Sequence, residues 1–97
     1  MIRVQVHNIF LDRLPKIDLH GYDQDSARVM TNDFISEAVC LGYKEIVIIH
    51  GIGTGIVKKS VHETLSRNKQ VLSYRLDSFN NGCTVVQLIN SNNKSIK

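Results

Sequence analysis

The sequence predicts an α/β fold: a βαβαββ two-layer sandwich, with a mixed four-stranded sheet and two helices on one face. Three observations predict it. Short apolar, β-branched runs alternate with stretches of helical periodicity; glycines follow the first two runs; and the last two runs are joined by a turn-forming DSFNNG segment. At 97 residues, 42% hydrophobic and 22% charged, the chain fits one domain with one modest core.

Residues 1–15 read as a lead-in, in which Ile2, Val4 and Val6 alternate with polar residues as in a brief edge strand, closed by Pro15. The domain proper is expected over residues 16–89. Its first strand is KIDLH (16–20), ended by Gly21. Asp23 is placed to cap a helix, with Ala27, Met30, Phe34, Ala38 and Leu41 on its apolar face and Gly42 as its stop. EIVIIH (45–50) has the four-residue apolar run of a deeply placed strand. A second helix over about residues 55–68 carries Val57, Val61 and Leu65 on one stripe. VLSYRL (71–76) and CTVVQLI (83–89) then form a hairpin, with Asn81 and Gly82 suited to positive φ at its turn and an antiparallel edge as its contribution to the sheet. The tail, residues 90–97, is polar and aperiodic, the pattern of disorder.

No apolar run approaches the roughly 20 residues of a membrane span, so no membrane partner is expected and a cytoplasmic location is. Cys40 and Cys83 stand apart from metal-ligand spacings and read as small buried side chains. Phe34 and Tyr43 read as core or near-core, and His7 and His62 as ordinary surface residues. A formal net charge of +3 is compatible with a polyanionic partner.

In a sheet of this kind ligands gather at the carboxyl ends of parallel strands, and both DLHG (18–21) and HGIGTG (50–55) fall there. Gly51, Gly53 and Gly55 clear the backbone just before a helix N-terminus, where unpaired amides and the positive dipole end hold an anion such as phosphate. Gly53 is expected in a backbone conformation, or at a close ligand approach, that a side chain cannot share. Lys58 and Lys59 lie in that helix's first turn, where the dipole disfavours cations, so an anionic ligand explains them better than stability does. Asp18 and His20 share one strand face. Their pairing suits a general acid or base, the carboxylate orienting the imidazole or helping to hold a divalent cation. His50, at the matching end of the next strand, reads equally as a second proton-transfer group or a loop anchor. Phe79 in the last turn is a candidate base-stacking residue.

The ordered pair IDLHG and HGIGTG, followed by IVKKSV and a closing TVVQL strand, resembles the Smr family, named for the small MutS-related domain. That domain occurs at the C-terminus of MutS-like proteins and as independent small proteins, and the length of this chain suits the second kind. The resemblance implies a nucleic-acid-binding domain with endonuclease activity, nicking DNA or cleaving RNA. It places chemistry at Asp18 and His20, with His50 as their neighbour. The contact surface it implies is Gly51, Ile52, Gly53, Thr54 and Gly55 with Lys58 and Lys59. Many relatives carry Lys or Arg where this chain has Ile52. A magnesium or manganese ion is compatible with such chemistry, and no other cofactor is indicated. Two rival readings are a non-catalytic module that grips phosphate backbones and recruits partners, and a small-nucleotide binder. The second fits less well, because the acid expected about 20 residues beyond a dinucleotide fingerprint is not well placed.

Overall fold

The computed structural model describes residues 14–89; the expectations for the lead-in strand, His7 and the polar tail lie largely or wholly outside them. Six elements follow one another: β1 (Lys16–Asp18), α1 (Gln24–Cys40), β2 (Glu45–Ile49), α2 (Ile56–Arg67), β3 (Val71–Leu76) and β4 (Cys83–Leu88). The fold class is the expected one. In the sheet the strands run in the order β1-β2-β4-β3. β1 is parallel to β2, with Asp18 opposite Ile49, and β4 is antiparallel to both β2 and β3.

The closing hairpin therefore does not simply add an antiparallel edge. α2 carries the chain across to β3, which runs parallel to β2 at the rim, and β4 inserts between them. Side-chain patterning explains the choice. β4 is buried at five of its six positions and suits an interior place, whereas β3 has no buried position and suits an edge.

Period-two alternation sends Ile46, Ile48, Val86 and Leu88 to the face that α1 and α2 cover, where they form one core with Ala27, Ile35, Ala38, Val57, Val61 and Leu65. Val47 and Val85, 2% and 1% exposed, alternate onto the other face, over which no helix lies among the described residues. α2 buries its predicted stripe. α1 is rotated from expectation: Thr31 and Ile35 are fully buried, Met30 and Phe34 are only partly so, and Leu41 is 67% exposed. The helix packs on α2 as well as on the sheet, which turns its buried arc toward the 31/35 row. Tyr43 and Cys40 are also exposed, because the last turn of α1 runs past the rim of the core. Cys83 is buried as expected, and burial pushes its thiol up.

The turns are closed largely by side chains. The Asp23 carboxylate accepts from the Ser26 amide at 2.7 Å, the predicted N-cap of α1, and Gly42 leaves the helix at φ +90°. At the β3–β4 turn neither Asn81 nor Gly82 takes positive φ, contrary to expectation. Asn80 holds this turn instead, its Oδ1 accepting from the Gly82 amide at 2.9 Å and its carbonyl from the Cys83 amide at 3.0 Å.

Candidate nucleic-acid interface

The two glycine-punctuated strand ends meet as anticipated. β1 ends at Asp18, and the turn through His20 and Gly21 (φ +84°) leads into α1. β2 ends at Ile49 and leads through residues 50–55 into α2. Between these connections lies a cleft of about 680 Å³, lined by His20 to Gln24 and Ile49 to Val57.

Asp18 and His20 form a pair at its edge. The His20 Nδ1 lies 2.6 Å from Asp18 Oδ1, and the same oxygen accepts from the His20 amide at 3.1 Å. Partial burial raises the Asp18 carboxyl, but the bonds from the His20 ring and amide outweigh it and hold the group below its ordinary value. The pair is open to solvent, with the His20 side chain 70% exposed. Its Nε2 has no partner among the described residues.

His50 has the opposite environment, being 3% exposed. Its Nδ1 lies 3.0 Å from the Gly51 carbonyl, which can only accept, so Nδ1 carries the proton. Nε2 is then an acceptor and takes the Thr84 hydroxyl proton at 2.7 Å. Having donated its one proton, Thr84 Oγ1 accepts from His62 Nε2–H at 2.8 Å. A directed chain, His62 to Thr84 to His50 to the Gly51 carbonyl, thus ties α2 and β4 to the glycine loop. Burial lowers His50 first of all, Lys58 adds to it, and the Gly51 bond opposes it; burial, His50 and Lys58 likewise lower His62. Both rings are held neutral at physiological pH.

His62 is therefore no ordinary surface residue: it is half-buried, packs edge-on to His50 at 5.7 Å between ring centroids, and lies against Tyr74. The signal was available in Thr84, a hydroxyl at a core parity of an otherwise apolar strand, which demanded a partner. Position 62, beside the Val57/Val61/Leu65 stripe, could supply it.

The glycines divide their work differently from expectation. Gly51 has φ +84°, and a Cβ there would stand 3.0 Å from His20 Cβ, so this is where the two motifs touch. Gly51 and His50 both donate to the Gly82 carbonyl, at 3.0 and 2.8 Å. Gly55 takes φ +86° as N-cap of α2. Gly53 lacks the special backbone conformation that was one of the two expectations for it: its φ is ordinary and the space around it is open. Two residues that break the chain's direction are enough to enter the helix, and Gly53 spans the gap between them.

At the N-terminus of α2 no side chain caps the helix; Thr54 Oγ1 accepts from the Ile56 amide at 3.3 Å, and the Val57 and Lys58 amides find no acceptor among the described residues. Lys58 is half-buried and Lys59 exposed, and neither has a carboxylate within ion-pair reach among the described residues. Ile52, Thr54 and Gly53 are exposed at the cleft mouth. Phe79 is 76% exposed but does not line the cleft.

The donors do not form a protein-held site for magnesium or manganese. Asp18 is engaged by His20, Asp23 caps α1, and among the described residues no three acidic, histidine or cysteine side chains cluster. No described helix is long and apolar enough to cross a membrane.

Comparison with known proteins gives a consistent answer. The Smr domain model matches residues 17–89. The chain is 42% identical over 74 residues to a protein named endonuclease MutS2 from Clostridium tetani, covering 76% of this chain and 9% of that protein. It is 37% identical over 75 residues to the same-named protein of Clostridium novyi, covering 74% of this chain and 10% of that one. The chain thus spans a small fraction of the length of the curated relatives it matches. Its fold matches the crystal structure of the Smr domain of Thermus thermophilus MutS2, with TM-score 0.76, 30% identity, and coverage of 78% of this chain and 99% of that one. The fold also matches YdaL, a small MutS-related protein from Escherichia coli, with TM-score 0.72, 24% identity, and coverage of 91% and 80%. With the family model spanning both motifs and every described strand and helix but the first residue of β1, the chain belongs to the Smr domain family.

Proposed function

We propose that this domain binds nucleic acid at the cleft between its two motifs and cleaves a phosphodiester bond there. The observation that carries the reading is the His20–Asp18 pair: a solvent-open imidazole, oriented through Nδ1 by a carboxylate 2.6 Å away, with Nε2 unpartnered among the described residues and beside the glycine loop. In this reading Asp18 fixes the tautomer, and His20 Nε2 takes a proton from the attacking hydroxyl, either water or a ribose 2′-OH, and returns one to the leaving oxygen. The unpaired amides at the start of α2, with Lys58 and Lys59, hold the phosphate. Gly51, Ile52, Gly53, Thr54 and Gly55 form the contact loop. His50 has both ring nitrogens engaged and serves as a positioning residue for that loop rather than as a proton carrier. The names of the MutS2 relatives favour the same chemistry. No step is routed through a metal ion.

The test is a panel of labelled RNA and of duplex, nicked and branched DNA. Asp18→Asn and His20→Ala should each remove most cleavage and leave binding nearly unchanged, since both side chains are largely exposed and the phosphate is held elsewhere. Cleavage that survives both substitutions, or a wild-type protein that binds and cuts nothing in the panel, replaces the nuclease with a recruiting module.

A further inference from the structure

Three large apolar side chains are exposed around the cleft: Tyr22 at 41%, Ile52 at 72% and Ile56 at 48%. None belongs to the hydrophobic core, and each comes from a different segment: the β1–α1 turn, the glycine loop and the first turn of α2. Apolar side chains gathered at the mouth of a cleft, rather than scattered singly, mark a surface that something covers. Here the covering group must also suit its neighbours. His20 lines the same cleft, and Lys58 follows Ile56 by two residues at a helix end with unpaired amides. An apolar wall set between a proton-transfer group and an anion-binding end matches a planar base attached to its own phosphate.

We propose that this rim is a slot for an unpaired nucleobase, with Tyr22 as its stacking platform and Ile52 and Ile56 as its opposite wall, so that the domain selects single-stranded over duplex nucleic acid. The cleft volume of about 680 Å³ admits a nucleotide. Within a duplex the flat faces of the bases are occupied by their neighbours, and none can lie on Tyr22 without being unpaired and swung out. A single strand offers those faces at little cost. The inference rests on the nucleic-acid reading above and adds what that reading leaves open, the form of the substrate.

Fluorescence anisotropy on three short labelled probes tests it: a single strand, the fully paired duplex of the same sequence, and a strand with the same phosphates but abasic central nucleotides. The single strand should bind about ten-fold tighter than either of the others, within the range of one stacked base. Tyr22→Ala should weaken single-strand binding by about 5- to 10-fold, most of that preference and the low end of what one stacked base contributes. It should leave the abasic strand unaffected, and Tyr22→Phe should retain the preference. Ile52→Lys, at an exposed position, should raise duplex and abasic affinity and narrow the difference. Equal binding of all three probes, still weakened by Lys58→Glu with Lys59→Glu, overturns the slot and leaves the phosphate-binding reading standing. If no probe binds in a salt-dependent way, both fall together.

Discussion

Replacing Thr84 by valine keeps the shape of a fully buried side chain and deletes the hydroxyl that joins two histidines. On the valine background His50 Nε2, an acceptor in a residue only 3% exposed, loses its donor, while His62 Nε2–H is half-buried and can turn to water. Leaving one buried polar atom unpaired costs about 1–3 kcal/mol. In a domain of this size each kcal/mol moves the melting temperature by about 4–8 °C, so Thr84→Val should melt roughly 5–20 °C below the parent. Thr84→Ser, which keeps the bridge, should lose much less. Circular dichroism melts near neutral pH give the first measurement. The second is the His50 ring nitrogens by NMR, which in the parent should show a proton on Nδ1 and a bare, hydrogen-bonded Nε2. A Thr84→Val melt within about 2 °C of the parent, or a parent His50 protonated on Nε2 instead, would refute the directed chain.

Acid should act on the same chain: both rings are depressed below the ordinary value of 6.5, so their contribution to stability is full above that pH and is lost as the pH falls through the lower, folded values. His62→Gln should flatten this acid loss in denaturant titrations, and an unchanged slope would remove His62 from the account. Gly51→Ala, strained at φ +84° and 3.0 Å from His20 Cβ, should destabilise by about 1–3 kcal/mol and disturb cleavage, whereas Gly53→Ala should be close to neutral in both. Equal effects at the two glycines would contradict that division. Lys58→Glu with Lys59→Glu should weaken binding across all sequences and flatten the dependence of log affinity on log salt, read from anisotropy at several ionic strengths. An unchanged slope would place the phosphate surface elsewhere.

The sequence discloses Asp18, His20 and His50 because glycines mark the strand ends that carry them, and strand-end geometry is local. Their differing fates are not local. That His20 is open and His50 enclosed depends on β4 lying next to β2, which brings Thr84 opposite Ile48 and the Gly82 carbonyl onto the amides of residues 50 and 51. Nothing in the spacing of HGIGTG announces that neighbour. The same insertion explains why, in sequence, the hairpin reads as an edge and His62 as a surface residue. In sequence the apolar stripe of α1 reads as that of a helix lying on a sheet alone, and Ile35 falls outside it because the second partner, α2, is a tertiary fact. Gly53 differs from its neighbours in backbone conformation: three alternating glycines carry equal weight in sequence, but only Gly51 and Gly55 occupy left-handed backbone.

On the proposed reading, the two motif histidines take opposite tasks within one fold. A proton carrier needs a ring nitrogen that substrate can reach and a partner that fixes the other nitrogen, and His20 has both, with Asp18 on Nδ1 and, among the described residues, nothing on Nε2. A loop anchor needs both nitrogens satisfied within the protein and a charge state that does not change with small shifts in pH. His50 meets that condition through Gly51 and Thr84, with burial and Lys58 holding it neutral. Lys58 links the two tasks, since the cation that adds to burial in holding His50 uncharged also stands in the first turn of α2, where a phosphate would sit. A bound phosphate would offset part of that cation's field at His50 and His62 and raise their affinity for protons. By reciprocity, protonating them strengthens phosphate binding for as long as the loop keeps its shape. Nucleic-acid affinity should therefore rise modestly as the pH falls from neutral, before acid loosens the chain of histidines. Lys58→Met should weaken binding at every pH while leaving most of the acid loss of stability in place, since burial is the first cause of both depressed rings, and an affinity that only declines with falling pH in the parent would show that the loop and the phosphate site are not coupled.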